Sequence, residues 1–96
     1  MTEAHFNRLT PAEAERLAML AEECAEVIQV VGKILRHGYE RHHPNDPTTT
    51  NRDLLTDELS DLWAVIEMMD GDFSLTNADA QEAAFQKKMR FTHHQL

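Results

Sequence analysis

Cysteine occurs once in the 96 residues, as Cys24. No intrachain disulfide framework can form, and a reducing compartment is the expectation. Long apolar runs are also missing, since no stretch approaches the roughly 18 residues of a membrane span. The N-terminal Met1-Thr2-Glu3-Ala4-His5 has no basic region leading into an apolar one, so it does not read as a secretory signal. These absences point to a soluble cytoplasmic protein with no membrane partner. Positive charge is scarce: 9 Lys and Arg stand against 17 Asp and Glu, a net charge of -8. Duplex nucleic acid requires clustered positive charge and is not an expected partner. A small anionic ligand stays open, because a bound metal can invert the local sign.

Glycine and proline are rare enough to mark boundaries. Thr10-Pro11-Ala12-Glu13 reads as an N-cap, a first-turn proline and the third residue of a capping box. From there to Arg36 the only glycine is Gly32, and Gly38 is placed to end the helix. Leu17, Leu20, Cys24, Val27, Ile28, Val31, Ile34 and Leu35 recur at helical spacing and form one apolar face. Phe6 and Leu9, just before it, are candidates to pack onto the body. Residues 39–50 hold two prolines and a polar tract and read as a loop, long for a helix–helix connection. A second helix begins near Asn51 and runs to about Met69, with Asp53 in its first turn and Leu55, Leu59, Leu62, Trp63 and Ile66 as its apolar face. Asp70-Gly71-Asp72 ends it. Thr76 or Asn77 caps a third helix, roughly 78–91, with Ala80, Ala83, Ala84 and Phe85 or Met89 turned inward. No strand and no internal repeat is visible. The expected fold is a single all-α domain over 1–96, an antiparallel helical hairpin plus a third helix. A core this small is marginal alone, so the bundle is expected to be completed by self-association into a homodimer or homotetramer.

The chemistry concentrates in two acidic signals. Glu22-Glu23-Cys24-Ala25-Glu26 puts three carboxylates into little more than one turn, and Glu58-Leu59-Ser60-Asp61 answers it on the next helix. Residues three apart are neighbours on a helix surface, so each helix offers one pair: Glu23 with Glu26, and Glu58 with Asp61. With Glu23 as zero on a helical wheel, Glu26 lies about 60° to one side and the apolar face is centred about 80° to the other. Both acidic pairs thus border the faces that should meet, which is where helix bundles build metal sites. Four converging carboxylates need a compensating hard divalent cation, Mg²⁺ or Mn²⁺. Glu22 is rotated further out, toward a second ion or solvent. The plain alternative is a solvated acidic face, the commoner fate of Glu and Asp. Against it stands the lack of any Lys or Arg at i±4 from the Glu22–Glu26 cluster.

Other side chains read more plainly. Lys33 follows Glu26 by seven residues, about 10 Å along the same line, within reach of a polyphosphate held at the carboxylates. A surface lysine is the simpler reading of it, and Arg36, Lys87, Lys88 and Arg90 are weaker candidates for the same role. His42-His43 and His93-His94 fall in a loop and a tail, without the spacing of a transition-metal site. Cys24 reads as a small core residue rather than a nucleophile. Trp63 reads as core, with base stacking the minority option.

Glu22-Glu23-x-x-Glu26 followed after 31 residues by Glu58-x-x-Asp61 resembles the motif of the all-α nucleoside triphosphate pyrophosphatases, the MazG-like group. Lys33-Ile34-Leu35-Arg36-His37-Gly38 and the stretch from Asn51 to Leu62 are similar to short, phage-type members. The likeness covers roughly residues 10–70. Lys87-Lys88-Met89-Arg90 stands where members often carry basic residues. The resemblance implies Mg²⁺-dependent hydrolysis of a (deoxy)nucleoside triphosphate to the monophosphate and pyrophosphate, by water attack on the α-phosphorus. It implies Glu23, Glu26, Glu58 and Asp61 as metal ligands. Glu22 would hold a further ion or orient water, and Lys33, Arg36 and Lys88 would meet the phosphates. Phosphoryl transfer is mostly positioning and charge neutralisation, so no Gly-rich phosphate loop is needed, and none is present. Two rival readings remain: the same site acting on another diphosphate-containing substrate, and a non-catalytic helical module whose acidic stripe binds a basic partner.

Overall fold

Thr10 opens the first helix by the local chemistry its neighbours dictate. Its hydroxyl accepts from the Glu13 N–H at 3.1 Å, and the Glu13 carboxylate accepts from the Thr10 N–H at 2.8 Å. The computed structural model describes residues 6–75 and 77–95. It contains α1 (Pro11–His37), α2 (Asn51–Met68) and α3 (Ala78–Met89), with no strand among the described residues. At the end of α1 the Gly38 N–H donates to the Ile34 carbonyl at 2.7 Å. Gly38 has φ 87° and ψ 167°, a region open essentially to glycine alone.

A second capping box starts α2. The Thr50 hydroxyl accepts from the Asp53 N–H at 3.1 Å, and Asp53 accepts from the Thr50 N–H at 3.0 Å. Asp53 therefore does more than meet the helix dipole. The 39–50 loop is closed on itself by backbone bonds. Asn51 N–H donates to the Arg41 carbonyl at 2.8 Å, and Arg52 N–H to the Tyr39 carbonyl at 2.9 Å. The buried Asn51 side chain donates to the Gly38 carbonyl at 3.0 Å, tying the end of α1 to the start of α2.

At the other end of the hairpin, Arg16 near the start of α1 grips Asp72, beyond the end of α2. The pair is bidentate, Nε to Oδ2 and Nη2 to Oδ1, both at 2.8 Å. With joined ends at the loop and an ion pair at the far end, α1 and α2 run antiparallel. Among the described residues they are the only helices that pack on one another, and α3 packs against neither. Among the described residues no helix is long and apolar enough to cross a membrane.

Burial corrects several expectations. The α2-facing arc of α1 holds Leu20, Val27, Val30 and Ile34, with Val30 buried. At 100° per residue these lie within about 60° of Glu23, so the packed arc is centred near Glu23 itself, not about 80° away. The stripe of Leu17, Cys24, Ile28, Val31 and Leu35 faces outward, with Ile28 71% and Leu35 82% exposed. Cys24 is exposed on that stripe and is not a core residue. On α2, Val65 and the following Met69 are buried and Leu55, Leu62 and Ile66 half-buried. Leu59 and Trp63 face outward instead, Trp63 58% exposed. Asn77 caps α3 by accepting from the Ala80 N–H at 3.0 Å. The alternative cap, Thr76, lies outside the described residues. Ala80, Ala83, Ala84 and Phe85 do not face a core, because no helix among the described residues covers α3; of the α3 residues Met89 alone is half-buried. Leu9 is half-buried on the body, while Phe6 is exposed.

Candidate metal centre

Glu23 and Glu26 reach the α1–α2 seam because the packed arc of α1 passes through Glu23. Glu58 and Asp61 enter it from α2, three residues apart and so on one side of that helix. One carboxylate oxygen from each of the four lies within 4.8 Å of the others. Glu23, Glu26 and Glu58 are half-buried, and Asp61 closes the cluster from the solvent side. The acidic pairs thus converge as their spacing predicts, at half-buried positions of the α1–α2 contact with Asp61 at its exposed edge.

The electrostatics follow from that placement. Glu23 is pushed above the ordinary carboxylate range by burial first, then by the charges of Glu26 and Asp61. Glu58 is pushed up chiefly by a hydrogen bond shared with the Glu26 carboxylate, then by burial and by the charges of Glu26, Asp61 and Glu23. Glu23 Oε2 and Glu58 Oε2 are shut off from solvent and have no hydrogen-bond partner. Buried carboxylate oxygens are ordinarily paired, and one without a protein partner marks strain, a bound water or a bound ion. No Lys or Arg among the described residues forms an ion pair with any of the four. The donor set fits a hard divalent cation: oxygens only, from four carboxylates, with two oxygens otherwise unsatisfied.

Glu22 is exposed and not one of the converging four. Lys33 is half-buried two turns along α1 from Glu26, and with Arg36 it lines a recess beside the 39–50 loop. The Arg36 guanidinium lies back over Gly32, where an added Cβ would come within 3.5 Å of Nη1. Lys88 is exposed on α3 and is not brought to the carboxylates. The His93-His94 pair is exposed in the tail, while His42 and His43 line the same recess as Lys33.

Two structural pairings escape the sequence reading. The Thr50–Asp53 capping box left a signal that the reading did not use, Thr-x-x-Asp ahead of an apolar run. The Arg16–Asp72 pair left none, because nothing local links residues 56 positions apart. Asp72 is held below the ordinary range by its hydrogen bonds from Arg16. Comparison with family models, curated proteins and solved structures yields no match to this chain.

Proposed function

We propose that the protein hydrolyses a (deoxy)nucleoside triphosphate between the α and β phosphates, releasing the monophosphate and pyrophosphate. Glu23, Glu26, Glu58 and Asp61 hold Mg²⁺, with Mn²⁺ as a substitute. The observation that carries this reading is the pair of solvent-shielded oxygens without a protein hydrogen-bond partner, Glu23 Oε2 and Glu58 Oε2, on two of the four clustered carboxylates. A structural role would pair those oxygens with Arg, Lys or backbone N–H. A solvated face would leave them wet.

Bound divalent ions supply a water of lowered pKa and neutralise phosphate charge. The chain's own residues do the rest. Helix packing fixes the four carboxylates before ligand arrives, so little reorganisation is needed on binding. Glu22, at the rim beside Glu23, is assigned to a further ion or to orienting water. Lys33 and Arg36 draw the polyphosphate along α1 away from the carboxylates. Lys88 joins this set only if a second copy carries its α3 across.

Self-association belongs to the same reading. A compact chain of 11.0 kDa exposes about 5,600 Å², whereas this one exposes 8217 Å². The excess, about 2,600 Å², is at the upper end of what large obligate homodimer interfaces bury per chain. The radius of gyration, 17.7 Å, also exceeds the roughly 12.5 Å of a compact chain this long. The outward stripe of Leu17, Ile28, Val31 and Leu35, with Trp63 on α2 and Phe85 on α3, is the surface a homodimer or homotetramer would cover.

The test is pyrophosphate release from the common ribo- and deoxynucleoside triphosphates, with and without Mg²⁺. Turnover is expected with Mg²⁺ only, and Glu26→Gln or Asp61→Asn should remove nearly all of it. Parental rates in both neutral variants, or no release from any triphosphate with Mg²⁺ or Mn²⁺, would overturn the proposal.

A further inference from the structure

Leu17, Ala21, Cys24, Ile28, Val31 and Leu35 follow one another along α1 at alternating steps of four and three residues. That is the spacing of an uninterrupted coiled-coil stripe, which needs a second helix laid along it. All six residues are exposed, and α2 occupies a different arc.

The stripe is centred about 100° round α1 from the arc that holds Val27, Val30 and Ile34. On α2 the exposed Leu59 and Trp63 are centred about 100° from the arc of Leu62, Val65 and Met69. Because the two helices run antiparallel, both rotations turn toward the same side of the hairpin. That side is one continuous apolar face. Glu26 and Asp61 are rotated from their packed arcs in the opposite sense, roughly 180° round each helix from the exposed stripes. A partner on the apolar face therefore leaves the solvent side of the carboxylate cluster uncovered.

The same face of a second copy fits it. The surface this chain exposes beyond that of a compact one matches what a large homodimer buries. Shape and charge then set the direction of the pair. The flank of the stripe away from α2 carries Ala18, Ala25 and Gly32, one small residue per heptad. Small residues let two helices approach closely. These flanks meet each other only if the two α1 helices are antiparallel. In a parallel pair each would meet the other flank, Leu20, Val27 and Ile34, which α2 already covers. Charge agrees. Residues 11–23 hold four Glu and a single Arg, Arg16, which Asp72 neutralises. Residues 33–37 hold Lys33, Arg36 and His37 and no acid. Antiparallel pairing runs the acidic start of one α1 beside the basic end of the other and opposes the two helix dipoles. Parallel pairing sets like against like.

We propose that two copies of this chain pair through this face about a two-fold axis. The two α1 helices run antiparallel, Leu17 of each copy opposite Leu35 of the other, with the small flanks meeting. The two carboxylate clusters then open on the outer sides of the pair. The assignment narrows the self-association proposed above and does not depend on the hydrolase reading.

Two measurements on the full chain test it. In the first, a nitroxide is attached through Glu15→Cys in a Cys24→Ala background, and the distance between labels is read by pulsed electron spin resonance. Glu15 is exposed and lies off the stripe. In the antiparallel pair the labelled positions stand about 33 Å apart along the axis, whereas a parallel pair brings them within about 20 Å. In the second, light scattering follows mass against concentration. Ala25→Glu and, separately, Ile28→Glu each bury a charge near the two-fold axis and should raise the dissociation constant roughly a hundredfold or more. Both side chains are exposed in the single chain, so helix content by circular dichroism should stay parental. Phe85→Glu on α3 should associate as the parent does. Labels within about 20 Å, or parental association in both stripe variants, would overturn the proposal. A multimeric parent indifferent to both substitutions would discard this face and keep self-association. A parent that stays monomeric would discard both.

Discussion

Glu58→Gln separates a metal site from an acidic surface because its two effects have opposite signs. Glu58 faces Glu26 across the seam, and its carboxyl is pushed above the ordinary glutamate value of 4.5. The folded chain therefore binds this proton more tightly than the unfolded chain. Linkage then makes ionised Glu58 a source of instability that is absent below about pH 4.5 and grows as pH rises through the raised folded value. Glutamine keeps the shape and the helical register without the charge. In metal-free buffer at pH 7, Glu58→Gln should melt at or above the parental temperature, and the difference should close as pH falls toward 4.5. Metal reverses the order. A cation at a hundred times its Kd stabilises the native state by about 2.7 kcal/mol. In a domain of this length that is a rise in Tm of roughly 10–20 °C. Glu58→Gln, lacking one of four ligands, should lose most of that rise together with turnover. Melting curves at pH 4.5 to 8, with and without Mg²⁺, read both effects. A variant that melts below the parent without metal, and keeps the full Mg²⁺ shift, would refute the reasoning.

Three further outcomes are expected. Lys33→Ala should raise KM or lower kcat for a triphosphate while leaving the melting temperature nearly unchanged, and an unaltered kcat/KM would remove Lys33 from the phosphate path. Thr50→Ala should cost about 1 kcal/mol, the loss of one N-cap, seen as a fall in Tm of roughly 4–8 °C in thermal melts; a shift under one degree would show the capping box to be idle. Light scattering at micromolar concentration should report a mass that is a multiple of 11.0 kDa. Ile28→Glu with Leu35→Glu should drive that mass down toward a single chain, whereas a well-folded parental monomer would count against a covered stripe.

The most local features were legible from sequence because they need only a few consecutive residues. Thr10-Pro11-Ala12-Glu13 carries its own capping geometry, and Gly38 is required by a φ of 87°. The i,i+3 carboxylate pairs follow from helical pitch alone. Their convergence was also an inference of pitch, given two antiparallel helices. Which arc of α1 would meet α2 was not legible. The apolar stripe through Leu17, Ile28 and Leu35 says that something covers it, but not that α2 does. In the fold α2 takes the arc containing Val27, Val30 and Ile34, which brings Glu23 and Glu26 into the seam and leaves the stripe outward. Arg16 and Asp72, 56 positions apart, meet only because the hairpin closes. Likewise, Arg41, His42 and His43 read as loop residues until backbone bonds to Asn51 and Arg52 fold them against Lys33 and Arg36. Sequence by itself determined where the helices begin and end and which residues share a helix face, because those depend on neighbours in the chain. Tertiary structure alone decided which faces meet, because that depends on the packing of whole surfaces, to which no short stretch of sequence has access.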